Sequence, residues 1–340
     1  MAWCAAKGEI VLVLAGRWFA SVAGLFVLLL GGAVVAQPAS LKTHRFGSTS
    51  YVSVRDVAAY YGLGRDVRSV VDRADYKTGF AQLEMQADRR DILLNGVNHW
   101  LSAPVLAERD RLWIAELDVL KTLDPVLRPE RLRSRSTIRT IVLDPGHGGS
   151  DRGTRGRSGR EKVLTLDLAK RVERNLAGTG VRVALTRTSD RTVALEDRVA
   201  FARAKGADLF VSLHFNSGGS ADGIETYCAP PAGAPSTADG RPSGSDRDAA
   251  PVNRFDDQNA WLAHCVQKAL LEATGAVDRG VRRARFYVLQ YQNCPAILIE
   301  AGFLSNAAEE QRILRTDYRE LLAKVIADGI LTYKKSVETP

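Results

Sequence analysis

From residue 138 onward, short continuous apolar runs alternate with longer stretches of helical spacing. The runs at 138–143, 181–186, 208–213, 223–228 and 296–299 have the length and β-branched content of buried strands. Apolar residues recur three and four positions apart over 161–177, 193–204, 257–273 and within 307–333, as in Val163, Leu164, Leu168, Val172 and Leu176, which predicts helices. This order predicts an α/β fold, a mainly parallel sheet with helices on both faces. Upstream, Tyr51-Val52-Ser53-Val54 runs into a helical pattern with Val57, Ala58 and Tyr61 on one face, and Leu112-Trp113-Ile114-Ala115 followed by Glu116-Leu117-Asp118-Val119 repeats the arrangement. Between the two, 80–85 and 91–97 predict a hairpin turning at Ala87-Asp88-Arg89-Arg90. A small α+β domain over 41–127, a basic linker over 128–137 and a larger α/β domain over 138–334 are expected.

Two stretches break the pattern. The segment 229–253 is dense in Pro, Gly, Ser and Asp and predicts a flexible loop that cannot bury a core. At the amino end, Lys7 and Arg17 precede an apolar run from Trp18 to Ala36 that closes on Ala33-Val34-Val35-Ala36, the form of an export signal over 1–36. Export to a periplasm or cell envelope is expected, and an uncleaved signal would be the one route to a membrane. Its removal leaves Cys228, Cys265 and Cys294, none at Cys-x-x-Cys spacing. They read as buried small residues, with a single disulfide pair as the alternative.

Charge narrows the partners. Lys and Arg number 47 against 39 Asp and Glu, a net charge of +8, which favours an anionic partner such as a cell wall or membrane surface. The basic residues are scattered and no nucleic-acid motif focuses them, so nucleic acid is set aside.

Three strand ends carry candidate chemistry: Asp144-Pro145-Gly146-His147-Gly148-Gly149, Val211-Ser212-Leu213-His214 and Ile297-Leu298-Ile299-Glu300. Side chains just past the carboxyl ends of parallel strands converge on one crevice, so His147, His214 and Glu300 are expected to meet. Glu161 stands where a glycine-rich loop becomes a helix. A lone His beside an apolar strand is ordinarily a packed core residue, and a Glu in a first helical turn ordinarily answers the helix dipole. Together, however, His147, Glu161 and His214 supply the two nitrogens and one carboxylate that a hydrolytic zinc site takes, with a fourth position open to water. Asn216, Arg282 and Arg283 are candidates for substrate contact, the two arginines in a predicted loop. His264, on a predicted helix, reads as an ordinary packed or surface residue, and His44 and His99 have no partners at metal-site spacing. Gly148, Gly149 and Gly153 lack the Lys-Ser/Thr of a nucleotide loop.

Residues 139–333 resemble the catalytic domain of the zinc-dependent N-acetylmuramoyl-L-alanine amidases. The matching segments are 141–149, Thr186-Arg187-Thr188-Ser189-Asp190, 207–216 and 295–306, in that order. The resemblance implies one zinc ion on His147, Glu161 and His214, with Glu300 as the catalytic glutamate. It implies hydrolysis of the amide between N-acetylmuramic acid and the L-alanine of the peptidoglycan stem peptide. A zinc peptidase or deacetylase with the same site, and a catalytically silent wall-binding or activator protein, are the competing readings. A separate protein activator is left open. Some relatives carry a zinc-blocking helix where this chain has 229–253, whose composition opposes a helix. Residues 44–127 resemble the small domain at the amino end of copper amine oxidases, which also stands beside bacterial wall enzymes and implies wall or partner targeting.

Overall fold

A computed structural model describes residues 41–64, 72–134, 137–239 and 244–338; the expected export signal lies outside them. The elements in chain order begin with β1 (Thr43–Phe46), β2 (Thr49–Ser53), α1 (Val54–Tyr60), β3 (Arg73–Lys77), β4 (Gln82–Gln86), β5 (Asp91–Leu94), β6 (Val97–Trp100), β7 (Leu106–Glu108) and β8 (Arg111–Ala115). Short helical turns cover 116–132. Then come β9 (Thr140–Pro145), α2 (Glu161–Leu176), β10 (Arg182–Leu185), α3 (Leu195–Ala204), β11 (Leu209–Asn216), β12 (Ile224–Cys228), α4 (Asp256–Thr274), β13 (Asp278–Arg283), β14 (Ala296–Phe303), α5 (Ala307–Leu314) and α6 (Thr316–Val337).

The α/β expectation holds, and burial explains why. Every residue of β9 is buried. Ile141 and Leu143 pack with Leu164, Leu168 and Val172 of α2, while Val142 packs with Ala202 of α3 and Phe210 and Leu298 from neighbouring strands. A strand apolar on both faces is stable only between two layers, each buried aliphatic side chain contributing roughly 2 kcal/mol. Strands β10, β9, β11 and β14 are parallel neighbours, and β12 joins β14 antiparallel.

Beyond β12 the sheet continues in a way that the hydrophobic pattern did not predict. Arg282 and Arg283, expected in a loop, lie on β13, which runs parallel to β12. β13 pairs in turn with β6, Val281 against His99, and β5, β4 and β3 follow, giving ten strands in the order β10-β9-β11-β14-β12-β13-β6-β5-β4-β3. Side-chain bonds reinforce the junction: Asp278 accepts from Asn98 N at 2.7 Å, Trp100 Nε1 donates to Arg279 O at 3.1 Å, and His99 Nε2 lies 3.0 Å from His264 Nδ1. The two repeated strand-helix units lie side by side in a second sheet, β1-β2-β8-β7, with Val52 opposite Ile114.

The described parts of the segment 229–253 contribute to the core, which its composition was expected to prevent. Ala229, Ala234 and Val252 are buried, Thr237 N donates to Arg283 O while Arg283 N donates to Thr237 Oγ1, each at 2.7 Å, and Arg285 pairs with Asp246 at 2.7 Å. Short polar side chains satisfy the backbone here, and prolines cost little entropy to fix, so a stretch without periodicity still packs. Cys228, Cys265 and Cys294 are buried and unpaired. No described helix is long and apolar enough to cross a membrane.

The β13–β6 junction depends on Gly280. Its φ is +90°, and a Cβ there would stand 2.7 Å from Asn98 O. Gly280→Ala should therefore cost on the order of 2 kcal/mol, read as a lower urea midpoint with an unchanged slope. An unshifted midpoint would mean that the junction carries no stability.

Candidate active site

The carboxyl ends of β9, β11 and β14 face one cavity of about 530 Å³, and buried ion chemistry holds them there. Asp144, almost fully buried, accepts from Arg198 Nη1 at 2.6 Å, Thr186 Oγ1 at 2.6 Å and Ser212 Oγ at 2.8 Å. One carboxylate thus ties the ends of three strands to α3. Arg187 is fully buried and donates to the carbonyls of Pro145 (2.9 Å), Gly146 (2.8 Å) and Lys162 (2.7 Å). The first two of these carbonyls lie just before the turn at His147, which takes a left-handed φ of +62°. The following loop is held from α5, where Glu310 accepts from the amides of Arg157 (3.0 Å), Ser158 (2.7 Å) and Gly159 (2.7 Å).

Within this frame His147 Nε2 and His214 Nδ1 lie 3.0 and 2.9 Å from the same oxygen, Glu161 Oε1. One ligand atom from each of the three residues falls within 4.8 Å of the others, so the group could hold a metal ion. A Cβ on Gly153 would stand 2.5 Å from Glu161 Oε2 and 2.6 Å from His147 Cδ2, so only glycine leaves the space beside these groups. Asp151 accepts from His147 Nδ1 at 2.9 Å and so turns Nε2 inward, and Thr154 N donates to Glu161 Oε2 at 2.6 Å. Glu300 lines the same cavity with Oε2 buried and without a partner among the described residues.

The electrostatics follow from burial and pairing. Burial pushes the Glu161 carboxyl up, but the two imidazoles outweigh it and hold the pKa far below the ordinary carboxylate range. Burial depresses the His147 imidazolium, yet Glu161 and Asp151 raise its pKa above the usual histidine value. Glu300 has no such compensation: burial first, then the nearby Glu161 and Glu225 carboxylates, push it well above the ordinary range.

His147, Glu161, His214 and Glu300 therefore meet as the strand ends predicted, and Asn216 lines the cavity while donating to Glu225 at 2.6 Å. Arg282 and Arg283 do not line it. Arg282 pairs with Glu225 at 3.1 Å, and Arg283 is buried, donating to Lys121 O at 2.8 Å and Cys228 Sγ at 3.1 Å. Both were displaced from the expected loop because β13 is a strand. The sequence reading missed Asp151, whose position four residues after His147 was its only signal. It also missed Leu195 and Phe286, apolar residues left exposed on the cavity wall.

The model of the family described as N-acetylmuramoyl-L-alanine amidase matches residues 141–332. The chain is 35% identical over 196 residues to N-acetylmuramoyl-L-alanine amidase LytC of Bacillus subtilis, covering 57% of this chain and 35% of that protein. It is 31% identical over 284 residues to N-acetylmuramoyl-L-alanine amidase AmiA of Escherichia coli, covering 75% of this chain and 94% of that one. It thus spans about a third of LytC and nearly all of AmiA. The crystal structure of an N-acetylmuramoyl-L-alanine amidase from Clostridium difficile 630 matches at a TM-score of 0.50 and 35% identity, over 58% of this chain and 97% of that chain.

The raised Glu300 pKa sets a pH dependence in the metal-free protein. Above the ordinary value of 4.5 the unfolded chain ionises Glu300 while the folded chain keeps the proton, so stability is lost as pH rises toward the folded pKa. Chelator-treated Glu300→Gln should match the parent protein below about pH 4 and exceed it by at least about 1 kcal/mol at pH 7. Urea titrations across that range measure the gap, and a gap independent of pH would contradict it.

Proposed function

We propose, from the premise that the chain belongs to the N-acetylmuramoyl-L-alanine amidase family, that it is an exported zinc hydrolase which separates peptidoglycan stem peptides from their glycan strands. The bond broken joins the lactyl carbonyl of N-acetylmuramic acid to the nitrogen of L-alanine. The observation that carries this reading is the convergence of two imidazoles and one carboxylate beside Glu300, whose Oε2 is buried and has no partner among the described residues.

His147, Glu161 and His214 fit zinc by donor type, by mutual distance and by the space that Gly153 leaves. When bound there, zinc supplies a Lewis acid that polarises the amide carbonyl and lowers the pKa of water. Asp151 fixes the His147 tautomer, leaving the Nε2 lone pair available to the cation. Glu300 accepts a proton from the attacking water and returns it to the alanine nitrogen as the C–N bond breaks, giving a muramic carboxylate and a free amine. Leu195 and Phe286 offer an apolar wall to a sugar ring or peptide side chain.

A substrate in the wall requires export, and the basic residues followed by the apolar run ending at Ala36 support it.

His147→Ala should lose stoichiometric zinc together with sacculus hydrolysis. Glu300→Gln should keep the zinc while kcat falls by a factor on the order of 10³. Metal analysis, dye release from sacculi and mass spectrometry of the products measure these. Stem peptides beginning with free L-alanine are expected; cut cross-bridges or released acetate would assign the site to a different bond, and full activity in His147→Ala would end the zinc reading.

A further inference from the structure

Between the turn at His147 and the start of α2 the chain doubles back as a narrow hairpin. Glu161 N donates to Thr154 O at 3.0 Å, and Gly156 N donates to Gly159 O at 3.1 Å. Between these two bonds Arg155 stands directly opposite Arg160 in an antiparallel bridge. A bridge flanked in this way is the closer of the two antiparallel kinds, with Cα atoms about 4.5 Å apart and both side chains on one face. Two guanidiniums are thus held side by side, and like charges directly opposite each other are destabilising.

The hairpin is not free to part them. Glu310 on α5 grips its tip through the amides of Arg157, Ser158 and Gly159, and a Cβ on Gly156 would stand 2.3 Å from Glu310 Oε1. Thr154 N fixes the base by donating to Glu161 Oε2. Side chains alternate along extended backbone, so Thr154 and Glu161 face the catalytic cavity and the arginine pair faces outward. Arg155 and Arg160 are exposed, and neither makes an ion pair or a side-chain hydrogen bond among the described residues; the same holds for Arg152 beside them. The carboxylates of this region are engaged elsewhere: Asp151 with His147, Glu161 with both imidazoles, and Glu310 with the three amides and the charge of Arg157.

Building on the amidase reading, we propose that the outward pair, Arg155 and Arg160, docks the enzyme on the sacculus by taking a carboxylate of a stem peptide that neighbours the one being cut. A carboxylate between the two guanidiniums removes their repulsion and accepts charge-assisted hydrogen bonds from both. Arg160 directly precedes Glu161, so when Glu161 lies over one stem peptide the outer face of the hairpin lies among the adjacent ones. The pair acts on attachment to the insoluble wall and not on the bond that is broken.

The test is co-sedimentation of the full-length zinc-loaded protein with two preparations of sacculi, both stripped of phosphate polymers, one with free carboxylates and one amidated. The parent protein should bind the free-acid form with a Kd about fivefold or more lower. The double variant Arg155→Gln/Arg160→Gln should lose that preference while keeping its zinc, with a urea midpoint no lower than the parent's because the repulsion is gone. An equal change of charge on α3, Arg203→Gln/Lys205→Gln, should keep the preference. Equal Kd values in the parent, a comparison that needs no variant, would overturn the proposal. So would a preference that survives in the hairpin variant, or one that the α3 variant loses to the same extent. Products are read in the same samples: a carboxylate preference without release of stem peptides beginning with free L-alanine strikes the amidase reading alone, whereas their release at equal Kd strikes the docking pair alone.

Discussion

The site depends on what a guanidinium does when it is sealed from water. Arg187 cannot give up its proton, and burial leaves it to find acceptors in the protein. It finds them in the two main-chain carbonyls just before the turn at His147 and in one at the start of α2. The same carbonyls take further donors, Arg198 Nη1 at Pro145 O (2.9 Å) and Thr165 Oγ1 at Gly146 O (2.8 Å), so cation, hydroxyl and turn form one bonded cluster. Arg198 repeats the logic through Asp144, and its second amino group reaches His147 O at 2.9 Å. The left-handed φ of His147 is sustained by this clamp, not by local preference.

How far this was legible in the sequence differs from residue to residue. The buried strands around Ile141, Val211 and Ile297 were readable because a parallel strand covered on both faces is a continuous apolar run. From that alone the ends of three strands, and hence His147, His214 and Glu300, could be placed together. Glu161 was readable from the helical spacing that follows it. β13 was not, because Arg-Gly-Val-Arg-Arg has one apolar residue, and its buried Arg283 finds acceptors that local pattern cannot foresee. Asp151 and Glu225 escaped for the same reason: a carboxylate that orients a neighbour looks like any surface acid until the fold brings the neighbour to it.

The continuous sheet changes the meaning of residues 73–100. A hairpin array that merely abutted the catalytic part would bury surface without fixing register. Pairing β6 to β13 instead sets the height of Trp100 and Asn98 relative to Glu225, and so relative to Glu300, to within a hydrogen-bond ladder.

The three buried thiols have a bearing on how such a chain matures. Burial raises the Cys228 thiol and pushes Cys265 and Cys294 up to about 12, so almost no thiolate exists at neutral pH, and thiolate is the form that attacks a disulfide or is oxidised. Once folded, these three thiols are therefore inert toward thiol-disulfide exchange. Their reactivity belongs to the chain before α4 and β14 close over these side chains.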